Sequence, residues 1–374
     1  MSKSGRLVAL DAWRGVLALL VVFYHFIMSF FVTDFDVVTW WHGAYLIVDA
    51  FFVLSGFIMV YIYGNRIHDE RSFKAFMIRR FFRLWPLNAL VLLAFIALQF
   101  MQGVISPEKL NFSGAYSFSG WISSILFVQA FNIYDLVVWN VPAWSVSVEF
   151  YVYMVFGISM ILLGKGRVFY VSIALIAVSI AFLAYGGKGM KVEFDYGFWR
   201  CMYGFFVGVL TANFVYFSRR KEWIYKNIDL FQWMCVPGFY FYILMGNFDY
   251  LGFLSPFVFS LIVIVFSHDG GSFAKILHAR VFGFFAKTSY SIYMNHFLIL
   301  ILVSQAAQRI PLFGRQLERD PLSGRLILHG YWEPFVLCAI SYLFIIIASW
   351  VTYRYIELRF QRYGERFFPS RLGK

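Results

Sequence analysis

Arg14 and His25 stand eleven residues apart in LDAWRGVLALLVVFYHF, an otherwise apolar run. On a helix eleven residues advance about 16 Å and return to within about 20° of the starting face. Both side chains therefore lie on one stripe, at two depths. Asp49 in IVDAFFVLSGF and Glu149 in VPAWSVSVEF interrupt two further apolar runs, the second opening on Pro142, a residue suited to a first helical turn. If those runs descend where the first one rises, the two carboxylates reach the depth of His25 and the three groups outline a polar chamber. At the opposite end RRFFR sets Arg79, Arg80 and Arg83 just before an apolar run. Arg79 and Arg83 are one turn apart, a spacing that suits the oxygens of a phosphate. Ser289, Tyr293 and His296 in SYSIYMNH fall at i, i+4 and i+7 and share a stripe of their own. An ionisable group within lipid costs about 2.5–3.5 kcal/mol on insertion scales, so such groups face a cavity or a partner. Singly, the arginines also read as a lipid anchor and each histidine as a hydrogen-bonded structural residue; together they read as a site.

The elements that must position these groups are membrane helices. Apolar residues make up 61% of the 374 and charged residues 14%, with a mean hydropathy of +0.70, whereas a soluble domain carries about 25% charged residues. The side chains have to face lipid. Runs of roughly 20 apolar residues predict ten spans, at 7–32, 42–63, 85–102, 142–163, 168–185, 196–217, 230–246, 250–267, 288–304 and 333–355. The stretch 119–134 is shorter and more polar and is expected to lie along the outer face as a helix. The first run is too long for a signal peptide and contains Asp11 and Arg14, so it is expected to be retained.

Orientation follows from the positive-inside rule. With both ends cytoplasmic, the inner segments hold 23 of the 32 Lys and Arg, and the outer loops seven. This accounts for the net charge of +12 without nucleic acid as a partner. An eleventh span at 119–134 would turn the later basic loops outward. The fold class is thus an all-α polytopic bundle, one membrane domain over 1–374, with a basic aromatic tail at 356–374 suited to an anionic leaflet. Cys201, Cys235 and Cys338 lie in apolar runs without ligand spacing and read as packing residues.

The ordered set Arg14/His25, FFVLSGF, RRFFR, WSVSVE, SYSIYMNH and RYIE resembles the acyltransferase-3 family of integral membrane acyltransferases, which O-acylate polysaccharides, nodulation factors and macrolides. The motifs run over essentially the whole chain, and the one departure is Leu358-Arg359 where the family usually has Pro soon after the final Glu. The resemblance implies acyl-coenzyme A, usually acetyl-, as a cytoplasmic donor and functional roles for Arg14, His25 and the arginine cluster. Arg79, Arg80 and Arg83 would hold the coenzyme A phosphates with Arg14 at the entrance, and Ser289, Tyr293 and His296 would line the donor's path. His25, an imidazole with a reference pKa of about 6.5, would take the proton of an attacking hydroxyl, with Glu149 or Asp49 orienting the ring. The acceptor is expected to be a sugar, a polysaccharide or a lipid-linked glycan, and the location a bacterial inner membrane. Direct attack needs no protein nucleophile; Ser55 or Ser145 is the alternative. Trp40, Trp41, Trp121 and Trp144 suit either sugar stacking or an interfacial belt. The soluble esterase-like domain that some members append is not read here, so transfer is expected to be completed by the membrane domain or by a separate protein.

The leading rival is a transporter or flippase with a charged midplane site, which would show paired broken helices in two halves; a receptor or scaffold is the other. None of the seven histidines opens HxxxD or HxxxxD, no cluster has metal-ligand spacing, and no P-loop is present.

Overall fold

The computed structural model describes residues 7–33, 41–105, 107, 110, 112–218, 226–246 and 248–367. Trp40, Lys3, Arg6, Lys109, the basic residues at 219–221 and the end of the tail from 368 lie outside them. The architecture is an all-α membrane bundle. Eight helical segments are long and apolar enough to cross a membrane, and large side chains such as Leu93, Phe100, Leu162, Phe241 and Phe344 stand exposed on their outer faces. In lipid that exposure costs nothing, and helices satisfy their own backbone groups there.

The first helix, α1 (Val8–His25), has no side-chain cap of its own. Asp269 supplies one from a distant loop, accepting from the Ala9 N–H at 2.8 Å. Beyond His25 the chain loosens into a π-helical turn, Phe26–Phe30, and then strand β1 (Phe31–Thr33). α2 (Ile47–Tyr63) follows a 3-10 turn, His42–Leu46. α3 (Glu70–Ile105) begins well before the 85–102 expected, because Asp69 and Ser72 close a reciprocal cap. The Ser72 N–H donates to Asp69 Oδ1 at 2.8 Å, while Ser72 Oγ accepts from the Asp69 N–H at 3.1 Å. The Ser72 hydroxyl, donating to Asp69 Oδ1 at 2.6 Å, and after it the Ser72 N–H hold the Asp69 carboxyl below the usual carboxylate range. Arg79, Arg80 and Arg83 therefore sit on α3 itself.

Within 119–134 only α4 (Phe118–Ile125) is helical, eight residues long and so about 12 Å, too short to cross. It is pinned to α3 by Asn88 Nδ2 and Trp85 Nε1, which donate to the carbonyls of Ser124 at 3.0 Å and Ile125 at 2.9 Å.

The long helix α5 (Ala143–Tyr185) covers two expected spans and is broken at Gly164, whose φ of 72° and ψ of 166° only glycine adopts readily. After it come α6 (Gly197–Ser218), α7 (Ile228–Met245), a helical turn at Asp249–Gly252, α8 (Ser255–Phe266), α9 (Ser272–Leu277), α10 (Arg280–Arg309), β2 (Leu326–Leu328), α11 (Trp332–Thr352), a second π-helical turn at Tyr353–Glu357, and α12 (Leu358–Phe367). The tail is thus helical in α12, which stacks Phe360 on Phe82 of α3 at 6.4 Å. β1 and β2 pair in parallel, Phe31 opposite Leu326 and Thr33 opposite Leu328.

Small residues set the helix spacing that positions the site, as expected where packing replaces the hydrophobic effect. A Cβ on Gly15 of α1 would stand 2.6 Å from the Phe285 carbonyl carbon of α10. Gly56 of α2 and Gly208 of α6 lie as closely against the backbones of Phe205 and Val53.

Candidate active site

Five helices meet around a narrow cavity of about 60 Å³, room for about two waters. α1 contributes Arg14; α2 Ser55 and Phe51; α3 Arg83; α5 Ser145, Glu149 and Tyr153; and α10 Ser289, Tyr290 and Tyr293. Arg14 is half-buried and lies within electrostatic range of Arg83, Asp11, Tyr153 and Glu149. Two guanidinium groups and one carboxylate thus share a void with six hydroxyl-bearing neighbours, an arrangement suited to an anionic or strongly polar guest.

Each wall is held from behind. Glu149 accepts from Ser55 Oγ and, at 2.7 Å, from the Tyr153 hydroxyl. Arg83 lies 4.0 Å from the buried carboxylate of Glu357. That carboxylate also accepts from Ser291 Oγ at 2.9 Å and Gln361 Nε2 at 3.0 Å. The Tyr290 hydroxyl donates to the Leu84 carbonyl at 2.5 Å, tying α10 to α3 beside Arg83.

At the other end of the cavity the Tyr293 hydroxyl pairs with Ser145 Oγ at 2.7 Å and reaches the Pro142 carbonyl at 3.2 Å. Its ring lies 5.7 Å from Phe51 and 5.8 Å from His296. Tyr293 therefore stands between the cavity and a pair of histidines. His296 Nε2 is 3.2 Å from His25 Nδ1. His296 Nδ1 faces the carbonyls of Tyr293 at 2.7 Å and Ile292 at 3.2 Å, and His25 Nδ1 faces the Val21 carbonyl at 3.1 Å. Hydrogen-bond complementarity assigns the protons: a nitrogen facing a carbonyl carries one, so His296 is protonated on Nδ1 and accepts at Nε2. His25 is then protonated on Nδ1, shared between Val21 and His296. Its Nε2 keeps the lone pair.

His25 ends α1, and the π-helical turn after it leaves backbone carbonyls to be satisfied from outside; such turns recur at functional sites. Arg325 does this from the loop before β2, donating from Nη1 to the Ile27 carbonyl at 3.1 Å and the Met28 carbonyl at 3.4 Å.

The chamber read from the sequence, with Asp49 and Glu149 beside His25, is corrected by this geometry. Asp49 is fully buried and takes a bidentate bond from Arg200, Nε to Oδ1 at 2.9 Å and Nη2 to Oδ2 at 3.0 Å, with Ser255 Oγ at 3.1 Å. The same guanidinium donates to the carbonyls of Tyr45 and Val192 and lies over the Tyr45 and Trp144 rings. Glu149 faces the arginine-lined cavity. The group that orients His25 is His296. Similarly, of the three clustered arginines only Arg83 lines the cavity. Arg80 donates to the Tyr63 hydroxyl at 3.0 Å and lies against the rings of Tyr63, Phe76 and Tyr153, and Arg79 reaches the same hydroxyl.

Comparison with known proteins points the same way as the motifs. A profile described as an acyltransferase domain matches residues 7–354. The chain belongs to the acyltransferase-3 family. Protein 2 in the picA locus of Rhizobium radiobacter is 31% identical over 166 residues, which are 41% of this chain and 83% of that protein. Acyltransferase MdmB of Streptomyces mycarofaciens is 30% identical over 113 residues, 29% of this chain and 26% of that protein. No solved structure matches significantly.

Within this acyltransferase-3 fold the described residues contain no cluster of His, Cys, Asp or Glu arranged to hold a metal ion. Of the tryptophans considered for sugar stacking, Trp144 is buried under Arg200, and Trp121 is stacked on Phe118 and donates to the Leu92 carbonyl at 3.4 Å. Trp41 packs edge-on against Phe23. Two participants escaped the reading of the sequence: Tyr153 and Glu357. Glu357 carried a signal, being the acid of RYIE at the end of an apolar run.

Proposed function

We propose that this membrane acyltransferase moves an acyl group, acetyl in the simplest case, from cytoplasmic acyl-coenzyme A to a hydroxyl of a sugar, polysaccharide or lipid-linked glycan, with His25 as general base. The observation that carries the reading is the cavity lined by Arg14 and Arg83 and walled by Tyr293, whose ring lies against the first member of the His296–His25 pair. Family membership supplies the reaction class. A donor with a polyanionic nucleotide and a thin pantetheine arm matches a cavity that is narrow and cationic at one end. At its present volume the cavity cannot hold the arm, so donor binding has to open the wall at Tyr293 and Ser145.

In this reaction the acceptor hydroxyl gives its proton to Nε2 of His25 as its oxygen attacks the thioester carbonyl. The resulting imidazolium keeps its Nδ1 proton on the His296 lone pair, the part a carboxylate plays in a serine hydrolase. Collapse of the tetrahedral intermediate breaks the C–S bond, and the leaving thiolate takes the proton back from Nε2. Atoms and charge balance without an acyl-enzyme, and no part is required of Ser55 or Ser145. Arg83 and Arg14 contact the donor's phosphates or carbonyls, while Arg79 and Arg80 hold α3 to Tyr63.

Ten spans with the arginine end cytoplasmic fit the eight long helices, the division of α5 at Gly164 and the shorter α8. One domain over 1–374 in a bacterial inner membrane completes the proposal. The test is release of free thiol from acetyl-coenzyme A by purified protein given a cell-envelope glycan fraction, with the acyl mass followed onto the glycan. Thiol release and acyl gain in step support the reading. Solute movement across vesicles without thiol release would overturn it in favour of transport.

A further inference from the structure

A second cavity lies away from the active site and takes no part in the proposed reaction. It is an open groove of about 710 Å³ between α2, the second leg of α5 and α6, within the 300–1,000 Å³ range of sites for single small ligands. The break at Gly164 lies at its edge, and Lys165, Gly166, Phe169 and Tyr170 of the second leg line it. Its walls are apolar and aromatic, among them Phe57, Phe169 and Ala212. From Phe57 to Asn65 it runs eight residues, about 12 Å.

The rim is different. Lys165 is exposed and donates from Nζ to Asn65 Oδ1 at 3.0 Å. That bond uses one of the ammonium's three donors and the amide oxygen, so Lys165 keeps two N–H groups and the Asn65 NH₂ is still a donor. Asn65 follows directly on α2, two residues beyond the Tyr63 that Arg80 holds. The cationic rim therefore lies at the arginine end of the bundle, the surface that the positive-inside rule turns to the anionic leaflet. A groove with a hydrocarbon-lined body at bilayer depth and phosphate donors at its rim fits an amphiphile whose headgroup is an anion.

We propose that this groove binds one anionic glycerophospholipid, its phosphate on Lys165 and Asn65 and one acyl chain along Phe57, Phe169 and Ala212. The site is independent of the acyl-transfer reading and stands or falls separately. The test is native mass spectrometry of the purified full chain offered phosphatidylglycerol and phosphatidylcholine in equal amounts. The wild type should retain one phosphatidylglycerol with about a fivefold preference, the factor one lysine contributes beside an anionic surface. Lys165→Gln should bind both lipids equally. Gly166→Phe puts a ring into the mouth of the groove, where a Cβ meets nothing within 4 Å, and should retain neither lipid while melting at the wild-type temperature. Equal binding by the wild type, a preference surviving Lys165→Gln, or unchanged occupancy in Gly166→Phe would overturn the proposal. So would displacement of phosphatidylglycerol by a lower concentration of farnesyl phosphate, which would make the groove a site for isoprenyl-linked substrates.

Discussion

Two charge clusters lie on different faces of α2, and they are built to opposite rules. At Asp49 every charge is answered: Arg200 places four N–H bonds, two of them on the carboxylate, and Ser255 adds another. At Arg14 and Arg83 the charges surround a void, with Glu149 braced from behind by Ser55 and Tyr153. A closed set of charges cannot exchange its partners for a guest and so serves to lock helices together. A set that faces a void has interactions left to give. The difference separates scaffold from site where charge and burial alone do not.

The comparison breaks most easily at the closed cluster. Asp49→Ala leaves Arg200 charged and unpaired in the interior, and removing one partner of a buried pair costs about 3–5 kcal/mol. A large fall in the melting temperature in detergent is expected, with whatever protein remains folded binding donor normally. Loss of donor binding at unchanged stability would put Asp49 in the site instead. Next is Arg83→Gln, which removes a charge-assisted contact worth about 1.5–3 kcal/mol. Donor KM should rise by at least tenfold with little change in melting temperature, whereas Arg80→Gln, which strips a clasp on Tyr63, should do the reverse. Equal effects of the two substitutions on KM would merge the clusters that the geometry separates.

Gly15→Ala forces apart α1 and α10, the pair that brings His25 to His296, at a contact with Phe285 about 15 Å along the helices from the histidines, and overpacking of this kind costs about 1–3 kcal/mol. Turnover should fall further than stability, as read by comparing kcat with the melting temperature. The smallest effect is expected at Arg325→Gln, which frees the carbonyls of the π-helical turn after His25. A several-fold fall in kcat without a change in donor KM would show that the outer loop positions the histidine.

Much of this was legible in the sequence because helical periodicity is local. The spacing of Arg14 and His25, and of Ser289, Tyr293 and His296, places each set on one stripe, and the structure brings the upper ends of those stripes together at the His25–His296 contact. Partner choice was not legible. Asp49 and Arg200 are 151 residues apart, and no local pattern says which intramembrane arginine a carboxylate will meet. Equal depth made His25, Asp49 and Glu149 look like neighbours, yet depth says nothing of azimuth around the bundle. The break in α5 was readable only as a polar gap at 164–167, since a glycine with positive φ can bend a helix without ending it. The early start of α3 needed its cap at Asp69 and Ser72 to be seen, and the β1–β2 pairing joins segments almost 300 residues apart.

The central claim is that the lone pair on Nε2 of His25 accepts the acceptor's proton, and His25→Ala tests it most directly. Acetyl-coenzyme A binding and acyl transfer are measured on the same purified, monodisperse protein. The account predicts donor affinity within about twofold of wild type and transfer lowered by roughly 10²–10⁴-fold, the usual contribution of a general base. Transfer at the wild-type rate with donor affinity intact would contradict it.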